Sequence, residues 1–252
     1  MTATVRSVAT YLIASFYVLV TGPVGMLLAI LFRWKSLLYA LGHAGVRLGL
    51  TLAGIRYRIA GSEHLPLGRA AVYCSNHESN VDPPLLFEAL HPRMHIVYKH
   101  EIDQIPVLAR AFRLGGFISI DRRRKESAMR SIERGAQSLR AGNSFLIFPE
   151  GTRSRTDELL PFKKGGFIMA IKAQAPIVPV AVQGGRAAMQ KGSAIIRPVT
   201  ISIRVGRPIE TLGLTLKDRD TLIAQVRERI GALRAQGPIR TQVPPSPTIR
   251  RA

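Results

Sequence analysis

The chain has 252 residues, with 36 Lys plus Arg against 16 Asp plus Glu, a formal net charge of +20 and a pI of about 11.3. It is also apolar, with 46% hydrophobic residues and a mean hydropathy of +0.12, which excludes a disordered basic tail and argues against a soluble nucleic-acid binder. A single cysteine, Cys74, excludes an internal disulfide and a cysteine-rich metal site. Aromatic residues at 6% give little material for base stacking. A basic chain that is also greasy fits a protein held on or in an anionic membrane.

Val8 to Phe32 carries no charge and is long enough to cross a bilayer, which takes about 20 apolar residues. It exceeds the apolar core of a signal peptide, and Arg33-Trp34-Lys35 stands where small cleavage-site residues would be. Pro23, between Gly22 and Gly25, invites a kink. A second apolar stretch, Ser36 to Ile55, is interrupted by His43 and Arg47. Two arrangements follow for the anchoring segment 1–54: a single span by Val8–Phe32, or a two-helix element of residues 8–54 lying in one leaflet. For a span, Arg33, Lys35 and Arg47 follow it while Arg6 alone precedes it, so the bulk of the chain is expected on the cytoplasmic side of the membrane.

From residue 55 the pattern becomes short apolar runs between helical periodicities. Strands are expected at Arg56–Ala60, Ala71–Cys74, His95–Tyr98, Phe117–Ile120, Ser144–Phe148, Ile177–Val182 and Val199–Val205. Helices are expected at Pro84–Leu90, Pro106–Leu114, Glu126–Ala141, Lys164–Ala173 and Lys217–Ala235. This alternation predicts an α/β domain over 55–236, with a parallel or mixed sheet flanked by helices. Residues 237–252 are proline-rich and basic and read as a disordered tail.

Three polar turns follow apolar strands. The first, Ser75 to Pro84, holds His77 and Asp82. A loop can fold that carboxylate onto the imidazole, which fixes the tautomer and leaves the other ring nitrogen to take a proton. Alternatively Asp82, standing before Pro83, caps a helix that begins at Pro83; two oxygens allow both roles. The second turn, after Ile120, holds Arg122, placed to reach a phosphate, while Arg123 to Lys125 read as a solvated or membrane-facing patch. The third brings Glu150, Gly151, Thr152 and Arg153: an acceptor, a close-approach glycine, a hydroxyl and a phosphate-sized cation. In isolation it is an ordinary turn with a surface Arg. A fourth segment, Ile177 to Val182, contains Pro179 and reads as an edge or bulged strand. A base, phosphate-binding cations and an adjacent anchor suit acyl transfer to an alcohol on a phosphate-bearing lipid.

The ordered set Asn-His-Glu-Ser-x-x-Asp, Gly-x-Phe-Ile-x-Ile-Asp-Arg, Phe-Pro-Glu-Gly-Thr-Arg-Ser and Ile-Val-Pro-Val-Ala, from Asn76 to about Val182, resembles the four motifs of the 1-acyl-sn-glycerol-3-phosphate acyltransferase family. Phe162-Lys163-Lys164-Gly165 is similar to the family as well. The resemblance implies the glycerolipid acyltransferase fold with an amino-terminal helical membrane element. It implies transfer from an acyl thioester of coenzyme A or acyl carrier protein to the sn-2 hydroxyl of lysophosphatidic acid, giving phosphatidic acid. By position it implies His77 as general base and Asp82 as its partner. Arg122, Glu150, Gly151, Thr152, Arg153 and, by a weaker match, Lys99 are implied as substrate-binding residues. No metal or other cofactor and no nucleic acid are implied. Ser119 departs from the pattern, standing where the family usually has a larger apolar residue, which bears on acyl fit.

The expected mechanism is direct: His77 takes the proton as the lipid hydroxyl attacks the thioester carbonyl, and backbone donors hold the oxyanion. A rival makes Cys74 an acyl-accepting nucleophile. Other classes fit less well. His91, His95 and His100 cluster in sequence without a closed ligand set, no Gly-x-Ser-x-Gly elbow is present, and a non-enzymatic basic membrane binder leaves the ordered polar turns unexplained. Lyso-ornithine lipid, glycerol 3-phosphate or another lysophospholipid would use the same base.

Overall fold

The structure is a computed structural model describing residues 2–91, 93–121 and 124–240. The expected phosphate ligand Arg122, its neighbour Arg123 and residues 241–252 of the expected tail lie outside the described residues.

The amino terminus forms a helical hairpin, α1 (Ala3–Leu31) and α2 (Lys35–Ala53). Thr2 starts α1 by accepting a hydrogen bond from the Val5 amide. The helix runs unbroken through Pro23, which lacks the N–H that the Leu19 carbonyl would otherwise receive. The two helices pack closely, with Leu41 over Gly25 and Tyr17 over Gly45. The Tyr17 hydroxyl donates to the Leu41 carbonyl at 2.9 Å.

Among the described residues seven strands follow: β1 (Ile55–Ala60), β2 (Val72–Ser75), β3 (Met94–Lys99), β4 (Ile118–Ile120), β5 (Ser144–Ile147), β6 (Ile177–Gln183) and β7 (Val199–Val205). Each lies within one residue of its expected limits. They form one sheet in the order β1-β7-β6-β2-β5-β3-β4, parallel except for the β6–β7 pair. Helices α3 (Asp82–Leu90), α4 (Pro106–Leu114), α5 (Lys125–Arg140), α6 (Gly165–Ala173) and α8 (Arg219–Ala235) match expectation within two residues. Helix α7 (Gly185–Ala188) was not anticipated; one turn is too short to show a period.

The central strands are buried on both faces, which explains their unbroken apolar runs. Tyr73, Leu146 and Val178 point into a core shared with Leu85, Leu86 and Leu90 of α3. Val72, Cys74, Phe145 and Ile177 point the other way, against Phe167 and Ile171 of α6 and Leu222, Val226 and Ile230 of α8. Fully burying one such side chain is worth about 1.5–3 kcal/mol.

Pro179 corrects one expectation. β6 is interior, between β7 and β2, and the bulge lies in the segment opposite Pro179. Val178 and Pro179 face three residues, 206–208, because the pairing shifts by one between Val180–Val205 and Ile177–Ile209. The Pro179 carbonyl accepts from Gly206 at 2.8 Å. Its ring nitrogen faces the same disrupted stretch, so the missing N–H breaks no regular ladder bond.

The chain also remains ordered past the expected end of the domain. Ile239 is buried, its amide donates to the Ser202 hydroxyl at 2.9 Å, and Arg58 of β1 donates to the Ile239 carbonyl at 2.8 Å. Residues 237–240 therefore belong to the sheet's flank and not to a disordered tail.

Candidate active site

The carboxyl ends of β2, β5, β3 and β4 stand side by side at one edge of the sheet, where open α/β sheets bind ligands. His77 leaves β2, Glu150 to Arg153 leave β5, and Lys99 ends β3.

His77 Nδ1 lies 2.9 Å from Asp82 Oδ2. An ionised carboxylate only accepts, so Nδ1 carries the hydrogen and Nε2 presents its lone pair outward. Nε2 has no hydrogen-bond partner among the described residues, and the ring stacks on Phe148 at 4.2 Å between centroids. The same Asp82 oxygen accepts from the Glu78 and Ser79 amides, each at 2.7 Å. Asp82 is fully buried. It is the first residue of α3, after Val81, and its side chain caps no helix. The capping alternative thus gives way to a different role, folding the 77–79 loop back onto the carboxylate.

Asp82 Oδ1 is buried with no hydrogen-bond partner. It faces Gly185, where an added Cβ would stand 2.4 Å away. Gly185 begins α7, directly after β6, and no local pattern marks it as part of this site.

Glu150 is buried and acts as a latch. Its Oε1 accepts from the His77 amide and its Oε2 from the Leu160 amide, both at 2.9 Å. Ser154 donates its amide to the His77 carbonyl at 2.9 Å, and Gly151 turns the chain between them at φ +72°. Across the loop, Arg227 of α8 donates to the Leu159 and Leu160 carbonyls at 2.8 and 2.7 Å. The third turn is therefore sewn to the first by backbone donors. In Glu150→Gln one amide face of the side chain opposes a buried N–H, which costs about 1–3 kcal/mol. Thermal denaturation should show a lowered Tm, with activity falling in parallel.

Arg153 presents a buried Nη1 with no partner among the described residues. Lys191 joins it from beyond α7, donating to the Thr152 hydroxyl at 3.1 Å and the Arg153 carbonyl at 3.0 Å. The sequence offered no sign of Lys191, because nothing local links it to this turn. Lys99 is exposed at the end of β3, two strand positions from β2, about 10 Å across the sheet. Ser119, the departure in the second motif, donates to Asp103 at 2.6 Å and so completes a polar cluster with Tyr98 and His100.

Cys74 is fully buried in the core beneath α6 and α8, and burial pushes its thiol well above the ordinary range, with Glu150 adding to the rise. A group kept neutral and out of solvent is not a nucleophile. The histidine cluster also disperses: His95 sits among Phe117, Phe145 and Tyr39, where burial and the Lys35 charge depress its pKa to about 4, and His100 pairs with Asp103. Among the described residues no three His, Cys, Asp or Glu side chains are grouped as a metal site.

Residues 56–183 match the family model described as Acyltransferase. The chain belongs to the acyltransferase family. It is 33% identical over 209 residues to a 1-acyl-sn-glycerol-3-phosphate acyltransferase of Limnanthes douglasii, covering 81% of this chain and 74% of that one. It is 34% identical over 177 residues to the alpha form of the enzyme of that name from Homo sapiens, covering 70% and 62%. Its fold is that of the 1-acyl-sn-glycerophosphate acyltransferase of Thermotoga maritima, with a TM-score of 0.81, 22% identity and coverage of 94% and 98%. The matched stretch holds His77, Asp82 and Glu150 to Arg153; Gly185, Lys191 and Arg227 join the site from beyond it, and the hairpin adds an apolar surface suited to a membrane. Val8, Leu12, Phe16, Leu19, Leu27 and Leu31 line one exposed stripe of α1.

Proposed function

We propose that this acyltransferase moves an acyl group from a coenzyme A or acyl carrier protein thioester to the sn-2 hydroxyl of 1-acyl-sn-glycerol-3-phosphate, giving phosphatidic acid. The observation that carries the reading is the oriented His77–Asp82 pair, with the buried Arg153 Nη1, which has no partner among the described residues, on the loop that Ser154 ties to His77. The imidazole takes the hydroxyl proton at Nε2 while the oxygen attacks the thioester carbonyl, and Asp82 stabilises the imidazolium. The departing thiolate then receives that proton. Arg153, with Lys191 behind it, holds the acceptor phosphate. Thr152, Lys99 and Arg122 are assigned to the same anionic ligand, whereas Glu150 and Gly151 serve by shaping the loop. The reading needs no metal and no other cofactor.

The acceptor is tested by offering the full-length protein one acyl thioester with lysophosphatidic acid, glycerol 3-phosphate, lysophosphatidylcholine and lyso-ornithine lipid in parallel. Lysophosphatidic acid is expected to be used best. A preference for a phosphate-free acceptor would overturn the assignment.

We infer further that the anchor lies in the plane of one leaflet. Helix α1 is about 43 Å long at 1.5 Å per residue. Near its start the Ser7 side chain accepts from the Ile196 amide at 2.8 Å; further along, Gly22 lies against Val107 of α4. A helix docked on the same domain along its length cannot also carry its ends to opposite sides of a bilayer. The cationic chain then sits on the cytoplasmic leaflet, whose anionic lipids attract it. In sealed vesicles, a protease site added at the amino terminus should be cut from the same side as the domain. Cleavage from the opposite side would mean a span.

A further inference from the structure

The hairpin tip carries a second constellation of charge, remote from His77. The start of β1 and of β7 stand at the catalytic edge of the sheet, so α2, which runs directly into β1, places its other end at the opposite edge. There the Tyr39 hydroxyl donates to the Gly115 carbonyl just before β4, at 2.7 Å.

At this tip Arg33 adopts φ +56°, a left-handed conformation unfavourable for a long side chain. It is flanked by Phe32 and Trp34, 59% and 60% exposed, with ring centroids 5.8 Å apart. Exposed aromatic residues beside cations belong at the water–lipid interface. Between the tip and α4 lies a cleft of about 380 Å³. Ile30, Leu38 and Leu114 wall it, and Arg33 and Lys35 stand at its rim. Neither cation has an acidic partner among the described residues. Leu114 is also shared with a neighbouring cleft along α4 that carries Arg110 and Arg113.

We propose that this cleft binds one anionic phospholipid, separate from the lipid acted on at the catalytic edge. The headgroup phosphate lies between Arg33 and Lys35, and the first acyl carbons run over Leu38 and Leu114. The choice of occupant rests on the pairing of an apolar wall with unpaired cations. A neutral lipid leaves the cations unmatched, and a free anion leaves the apolar wall wet. Strain at Arg33 is consistent with a side chain held out for a ligand. A lipid here pins the far end of the hairpin to the bilayer, while the stripe on α1 holds its length.

Native mass spectrometry of the full-length protein in neutral detergent tests this. The probe is phosphatidylglycerol, a phosphodiester that is not the proposed product, competed against phosphatidylcholine of the same acyl chains. The wild type should retain one phosphatidylglycerol with a preference of about thirtyfold, roughly what two cations contribute at a lipid surface. Arg33→Asn with Lys35→Gln should abolish the preference; Asn tolerates the left-handed backbone, so the turn survives. Leu38→Trp, which fills the cleft but keeps both charges, should abolish retention. Equal retention of the two lipids by the wild type would overturn the proposal. So would an unchanged preference in the double variant, retention by Leu38→Trp, or displacement of the lipid by excess inorganic phosphate alone.

Discussion

Replacing His77 by Ala should lower kcat by about 10²–10⁴, the range over which a positioned general base contributes. The fold should survive. Asp82 Oδ2 keeps the Glu78 and Ser79 amides, and the Glu150 latch binds the His77 backbone and not its ring. KM for both substrates should change little, since the imidazole acts on a proton that moves only in the transition state. Steady-state kinetics with a single thioester, alongside a thermal melt, separate the outcomes. Near-wild-type kcat in a folded His77→Ala protein would remove the histidine from the chemistry.

A larger surprise is expected at Gly185. An alanine there puts a methyl group 2.4 Å from Asp82 Oδ1 and 3.2 Å from the Cβ atoms of Glu78 and Ser79. No flexible tip yields, because Asp82 Oδ2 is fixed by the His77 ring and two amides. The carboxylate or α7 must move. A displacement near 1 Å is enough to reduce turnover by about 10²-fold, with about 1–3 kcal/mol lost from stability by overpacking. Gly231→Ala is the matched control. That site lies in α8 with no atom within 4 Å of an added Cβ, so activity should hold and stability should rise slightly. Equal kcat in Gly185→Ala and wild type would show that Asp82 tolerates the shift.

What the sequence made legible was local. Apolar runs such as Phe145-Leu146-Ile147 and Ile177-Val178 declared strands because both faces of the sheet are covered. The polar turns after them declared a site because strand ends at one edge converge. Order in the sheet was not legible: β5 returns to lie between β2 and β3, and no residue in β5 encodes its neighbours. Pro179 misled in part, since a proline in an interior strand needs a bulge whose other half, residues 206–208, lies far along the chain. Asp82 offered two roles from sequence, and its hydrogen bonds to His77 and to the Glu78 and Ser79 amides decided between them. Glu150 stood out by type, yet its use as a latch depends on the Leu160 amide at the far side of a loop. Gly185 and Lys191 gave no sign at all. Their importance comes from a close approach and from a partner that only the folded chain creates.

The central claim is direct transfer, with His77 as base and no acylated enzyme. Thiol release from an acyl thioester, followed with and without lysophosphatidic acid, tests it most directly. Release should require the acceptor and match phosphatidic acid formation one for one, in Cys74→Ala as in the wild type. A burst of thiol without acceptor, with the acyl group left on the protein, would contradict it.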